Sequence, residues 1–216
     1  MLRVLLLTLA IVTGAPVGGA SLGTEGVSLL ARPLLHALWT SADVAAAGVA
    51  LALSGVASDA CVTLAIAACC ALGAAAAAFI GSTLTTALPC YTIALATSLL
   101  FAWLGWTEYC AWIDDSRPSL ARLPAESLVL RVAAPLALNN LAGGFGGVDP
   151  SDAQHPCAGA IGVLVISYVA MCAGHFVGSA CFLHSPRDPR LGAASVFGVL
   201  AILPLLDVIL STSTLQ

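Results

Sequence analysis

The chain has 216 residues, 60% of them hydrophobic and 8% charged, with a mean hydropathy of +1.02 and a formal net charge of −4 at pH 7. A soluble domain carries about 25% charged residues, so this chain cannot cover itself for water. Its seven basic residues are all arginine, and the slight acidic excess sits in loops, leaving no footprint for a nucleic-acid partner.

Residues 1–28 come first, with Arg3, the apolar run Val4–Val12, then Gly14, Pro16 and the small residues Gly18-Gly19-Ala20. Two readings fit: a signal peptide cleaved after Ala20, or an extra short span with Met1 inside. Both deliver residue 29 to the outer face. Apolar runs bounded by Gly, Pro and charge then predict six spans, at 29–54, 60–82, 89–113, 126–147, 158–182 and 191–212. The loops between them are Gly55–Asp59, Thr83–Leu88, Asp114–Ala125, Val148–Cys157 and Leu183–Arg190. The expected fold is an all-α polytopic membrane bundle, a length of 216 residues giving six or seven spans at about 20 residues each.

The spans repeat. Ser41-Ala42-Asp43-Val44-Ala45-Ala46-Ala47-Gly48 and Ala137-Leu138-Asn139-Asn140-Leu141-Ala142-Gly143-Gly144 share one helix face. A shift of 96 places Asp43 on Asn139, Ala46 on Ala142, Ala47 on Gly143 and Gly48 on Gly144. Further on, a shift of 97 places Phe79 on Phe176, Gly81-Ser82 on Gly178-Ser179 and Pro89 on Pro186. The chain therefore divides into a first three-helix repeat (29–113), a linker (114–125) and a second repeat (126–216). Three is odd, so the second repeat enters the membrane from the opposite side and the repeats are inverted. Inverted repeats with polar residues at matching depth are the layout of a secondary transporter.

Arginines set the orientation. Arg117 and Arg122 follow the third span, Arg187 and Arg190 follow the fifth, and Arg32 marks the other face. The positive-inside rule makes the first two groups cytoplasmic. The linker is then cytoplasmic, the C-terminus lies outside, and the protein is a multi-pass protein of the cell membrane.

Within this bundle Asp43 stands out, because an ionised Asp at mid-span costs about 2.5–3.5 kcal/mol on insertion scales. Its face (Asp43, Ala46, Ala47, Ala50) and the matching face (Asn139, Ala142, Gly143, Gly146) are otherwise small, and small faces let helices approach closely in lipid. In one reading a protonated Asp43 hydrogen-bonds Asn139 or Asn140 as interhelical glue. In the other, Asp43, Asn139 and Asn140, with Thr40 or Ser41 and loosened backbone carbonyls, form an oxygen site for a cation near the midplane. The run Gly143-Gly144-Phe145-Gly146-Gly147 allows a helix end to unwind around such a site; it is no phosphate loop, since no Lys-Ser/Thr follows.

The motif Ser-x-Asp-x-x-Ala-x-Gly at Ser41, Asp43, Ala46 and Gly48, its counterpart at Asn140, Leu141, Ala142 and Gly144, and the 3+3 layout resemble the MntP-type manganese efflux family, most of all its YtaF-like sporulation membrane relatives. The resemblance spans roughly residues 29–212 and implies a manganese or other divalent-cation exporter with metal-binding residues at Asp43 and position 139. The family pattern has an aspartate in both halves, whereas this chain has Asn139. That exchange removes one negative charge from a divalent site, and hard cations favour charged oxygen ligands. A weaker, monovalent or organic-cation substrate is then also in keeping with the resemblance.

Other polar residues carry less. His175, mid-span in the fifth helix, is an accessory ligand, a proton carrier or a packed histidine. Glu108 and Asp207, toward the ends of the third and sixth spans, are expected to snorkel to the interface. Asp149, Asp152 and His155 form a solvated outer loop, and His36 near Arg32 suggests nothing specific. Trp39, Trp103, Trp106, Trp112, Tyr91 and Tyr109 lie toward span ends, as interfacial anchors do. The eight cysteines suggest thiol-disulfide transport, but spans 29–54 and 126–147 contain none and there is no Cys-x-x-Cys. Cys61, Cys69, Cys70, Cys110, Cys172 and Cys181 read as small packing residues. Cys90 and Cys157 both fall at the outer face, the one pairing that topology and an oxidising compartment allow. No hydrolase motif is visible, so no enzyme activity and no resident cofactor are expected. The lipid bilayer and a small cation are the expected partners. Two functions remain: a secondary transporter, probed by cation flux, and a non-transporting membrane scaffold that retains the fold.

Overall fold

The computed structural model describes residues 41–87, 90–147, 156–184 and 188–213. Among these the chain is helical, with no strand. Helix α1 is described over Ser41–Leu53, followed by α2 (Ala60–Ala87), α3 (Cys90–Ile113), a 3₁₀ turn at Leu120–Arg122, α4 (Ala125–Gly147), α5 (Pro156–His184) and α6 (Pro189–Ser213). Windows in α2, α5 and α6 are long and apolar enough to cross a membrane. Outward faces agree: Leu72 of α2, Leu130 of α4, Phe176 of α5, and Val199 and Ile209 of α6 are large apolar side chains left exposed. On a water-soluble surface such a band would be an aggregation liability; in lipid it is the solvated face. This is a membrane protein.

Helix ends follow local chemistry. α1 stops at a Schellman turn, in which Val56 N–H reaches Leu51 C=O and Gly55 N–H reaches Ala52 C=O, both at 3.0 Å. Gly55 takes the left-handed φ of 82° that this turn requires. Asp59 caps α2, its Oδ1 accepting Cys61 N–H at 2.8 Å, which satisfies an orphan donor and places negative charge at the helix N-terminus. Two expectations need correcting. Thr83–Leu88 is mostly not a loop, because α2 continues to Ala87; without water to compete, β-branched threonines hold their helical bonds. The glycine run also stays helical to Gly147, for the same reason.

The helices pack as α2 on α4 and α5, and α3 on α4 and α6. A core of Val44, Leu51, Ile66, Phe101, Leu104, Val132, Leu136, Met171 and Phe197 ties them together. Helix backbones approach closely at several glycines. A side chain at Gly48 would meet the Met171 carbonyl, and one at Gly174 the Ala45 carbonyl, so α1 and α5 touch backbone to backbone. Gly73 of α2 meets Ala137 of α4 in the same way. Asp43, on the small face of α1, meets Asn139 of α4 at 2.7 Å, while Gly48 of the same helix seats α5.

One end of the bundle gathers the loops. Asp115 pairs with Arg190 at 2.5 Å and with Arg122 at 3.2 Å, and Arg190 also donates to Ala111 C=O at 3.0 Å, near the C-terminus of α3. Cations favour such an end. His175 Nε2 lies 2.9 Å from Val56 C=O, joining the α1–α2 loop to the same end. The loops predicted to share one face do share one end.

Candidate functional site

Asp43 is 7% exposed and sits where α1 faces α4. Its Oδ2 accepts Asn139 Nδ2–H at 2.7 Å, across 96 residues of sequence, and its Oδ1 accepts Val44 N–H at 2.7 Å. The bonded pair is thus the pair that the shift of 96 superposes. Asn139 is carried on α4 one turn after Pro135, which is buried inside the helix. Pro135 has no N–H, so the Arg131 carbonyl is left without its helical partner.

Further buried polar side chains lie on α2, α5 and α4. Cys70 of α2 is fully buried. Ser167 and Asn140 are 3% and 6% exposed. Asn140 Nδ2 has no hydrogen-bond partner, and leaving a buried donor unpaired costs about 1–3 kcal/mol. Depth agrees from both sides. Asp43 lies ten residues before Leu53 and Cys70 ten after Ala60, about 15 Å from the loop-rich end. Asn139 lies eight residues before Gly147 and Ser167 eleven after Pro156, about 12–17 Å from the other end. In a hydrocarbon core of about 30 Å all four sit near the middle.

Of the residues singled out in the sequence, the structure brings Asp43 and Asn139 together, and Asn140 is buried next to Asn139 on α4. Ser41 is buried on the same helix and is partnered. Thr40 lies outside the described residues. His175 is directed elsewhere, to Val56 C=O and to the Ser179 hydroxyl at 3.4 Å. Glu108 does not snorkel: it is fully buried, and its Oε1 accepts Leu120 N–H at 2.6 Å, tying the linker to α3. The Asp207 side chain, Asp149, Asp152, His155, His36, and the Cys90 and Cys157 side chains fall outside the described residues, as does the reading of residues 1–28. Cys70 and Ser167 were missed as buried polar residues at matching depth, although a shift of 97 superposes them too.

Among the described residues no three of His, Cys, Asp and Glu stand close enough to hold a metal ion, so any cation at Asp43 leans on neutral oxygens as well. A groove of 490 Å³ between α2 and α4, lined by Cys69, Val129, Ala133 and Ala137 and edged by Asp59 and Glu126, does not include Asp43. Chemistry rather than volume locates the site. No family model, no curated protein and no solved structure matches this chain.

Proposed function

We propose that this protein is a small secondary transporter of a cation, built from two inverted three-helix repeats that rock against each other around Asp43, Asn139 and Asn140. The observation that carries the reading is the Asp43–Asn139 hydrogen bond between repeat-equivalent positions. Helix lengths support it: moved by 97 residues, α2 (Ala60–Ala87) falls on 157–184, against an observed α5 of Pro156–His184. So does packing, since α1 seats α5 as α2 seats α4, the exchange of partners that a two-fold axis in the membrane plane demands. Transporters of this kind bind at the repeat interface near the midplane. The MntP-type resemblance suggests a divalent cation such as manganese, moved outward across the cell membrane with the C-terminus outside.

A scaffold without transport is the second reading, and one observation favours it: both oxygens of Asp43 already accept hydrogen bonds. Cation flux into proteoliposomes separates the two. Flux that disappears in Asp43→Asn while the protein still inserts supports transport; absence of flux from the unmodified protein, for every cation tried, supports the scaffold.

A further inference from the structure

Among the described residues, Arg117, Arg122 and Arg190 gather at the loop-rich end, but Arg131 stands six residues inside α4. We propose that Arg131 and Trp103 form a lipid-facing site for the phosphate of an acidic phospholipid in the leaflet at that end. The proposal rests on the membrane setting alone and is independent of transport.

Depth makes this arginine unusual. α4 has 23 residues and is about 34 Å long, and Arg131 lies about 9 Å from its start. Centred on a hydrocarbon core of about 30 Å, the helix places that residue about 7 Å inside the core, where a bare cation is costly. The guanidinium carbon stands 4.8 Å from the ring centroid of Trp103 on α3. This cation–π contact offsets part of the cost and leaves the net charge in place. Among the described residues no carboxylate pairs with Arg131. Glu126, the nearest acid along α4, is about 140° round the helix and about 7.5 Å along it, on the side of the groove against α2. Glu108 of α3 is turned to Leu120 N–H.

The counter-charge comes from the lipid side. Trp103 is 46% exposed, and Leu99 and Trp106 on α3 and Leu130 on α4 are exposed with it. Helical side chains lean toward the helix N-terminus, which for α4 is the loop-rich end. The arginine stem therefore carries its fork toward the headgroups, as long basic side chains do near span ends. Trp106, Tyr109 and Trp112 continue along α3 toward the same end, with successive ring centroids 5.7 and 5.6 Å apart, and such amphipathic rings settle at headgroup level. The guanidinium fork engages two phosphate oxygens at once. A headgroup with no ammonium of its own leaves its phosphate charge to the arginine, so phosphatidylglycerol is preferred over zwitterionic phosphatidylcholine.

The test leaves Trp103 as the single tryptophan of the full chain, with Trp39, Trp106 and Trp112 changed to Phe. Its fluorescence is read in phosphatidylcholine vesicles that contain a minor share of brominated phosphatidylglycerol or of brominated phosphatidylcholine, because bromine quenches an indole it touches. Expected is an enrichment of the acidic lipid at Trp103 of about fivefold, the factor that one arginine supplies near an anionic headgroup. In Arg131→Gln the ratio should fall to about one. Arg131→Lys keeps the charge but loses the fork, and should keep only part of the preference. A parent protein without preference overturns the proposal, and so does a preference that Arg131→Gln leaves in place. Trp103 quenched by neither lipid also overturns it, since protein then covers this face. If Arg131→Gln does not insert, Arg131→Lys decides: an unchanged preference there overturns the proposal.

Discussion

A single carboxylate in an apolar run is the loudest signal a membrane sequence can give, because its insertion cost of about 2.5–3.5 kcal/mol must be met by some partner. Asp43 was legible for that reason, and Asn139 became legible as its repeat. Cys70 and Ser167 were not, because a thiol or a hydroxyl costs little in a helix and is common in lipid; only the second-helix shift of 97 would have picked them out. Glu108 was misread because position near a span end says nothing of which way a side chain turns, and this one turns inward to Leu120. The residue-scale prediction follows from the Asp43 geometry. Asp43→Asn retains the shape but keeps only one acceptor oxygen, enough for Asn139 N–H or Val44 N–H and not both, so the protein should still insert, with a loss of about 1 kcal/mol of stability, but lose cation flux altogether. Transport left intact in that variant would return Asp43 to the role of interhelical glue. The converse change, Asn139→Asp, adds a second carboxylate and should tighten divalent binding, read by titration calorimetry; weakened binding would show that Asn139 faces away from the cation.

Helices were predictable because a long apolar run specifies a helix in lipid, and among the described residues their limits needed only small adjustment, such as the extension of α2 to Ala87. The partners of those helices were less so. A small face states that something packs closely against it but not what; the match of α1 with α5 depends on Gly174 and Gly178 lying against Ala45 and Val49, a relation across more than one hundred residues. Glycines at such contacts differ sharply in what they tolerate. At Gly174 an added methyl would run into the Ala45 carbonyl, and at Gly48 into that of Met171, both backbone atoms that cannot step aside. At Gly198 nothing lies within 4 Å. Gly174→Ala and Gly48→Ala should therefore each destabilise the fold by about 1–3 kcal/mol through overpacking, whereas Gly198→Ala should be neutral or slightly stabilising through helix propensity. Equilibrium unfolding in mixed micelles checks the contrast; equal effects at Gly174 and Gly198 would contradict the α1–α5 contact.

At the scale of the whole molecule, the loops collected at one end form an ionic knot that links the two halves through Asp115, Arg122 and Arg190. The Arg190 guanidinium, and then Arg122, hold the Asp115 carboxyl below the usual carboxylate range. A group depressed in this way stabilises the fold fully above its unfolded value of about 3.9, and loses that contribution as pH falls through the lower folded value. The knot should thus be intact at neutral pH and loosen only in acid. Asp115→Asn should flatten the acid side of a stability profile, and a profile identical to that of the unmodified protein would show the pair to be idle. Arginine placement also orients the bundle, since this end carries Arg117, Arg122 and Arg190 and is the one expected in the cytoplasm. Cys61, exposed at the start of α2, belongs to that end, while Cys90 and Cys157, in the first turns of α3 and α5, belong to the other. In intact cells an impermeant thiol reagent should leave Cys61 unmodified, and should reach Cys90 and Cys157 from outside unless they are already bridged. A bridge requires Cα atoms within about 7 Å, and mass spectrometry of the non-reduced protein shows it directly as a linked peptide pair. Alkylation of both residues without reductant would exclude the bridge. Labelling of Cys61 from outside, with Cys90 and Cys157 reached only after permeabilisation, would invert the whole topology, and with it the direction in which the proposed site exports.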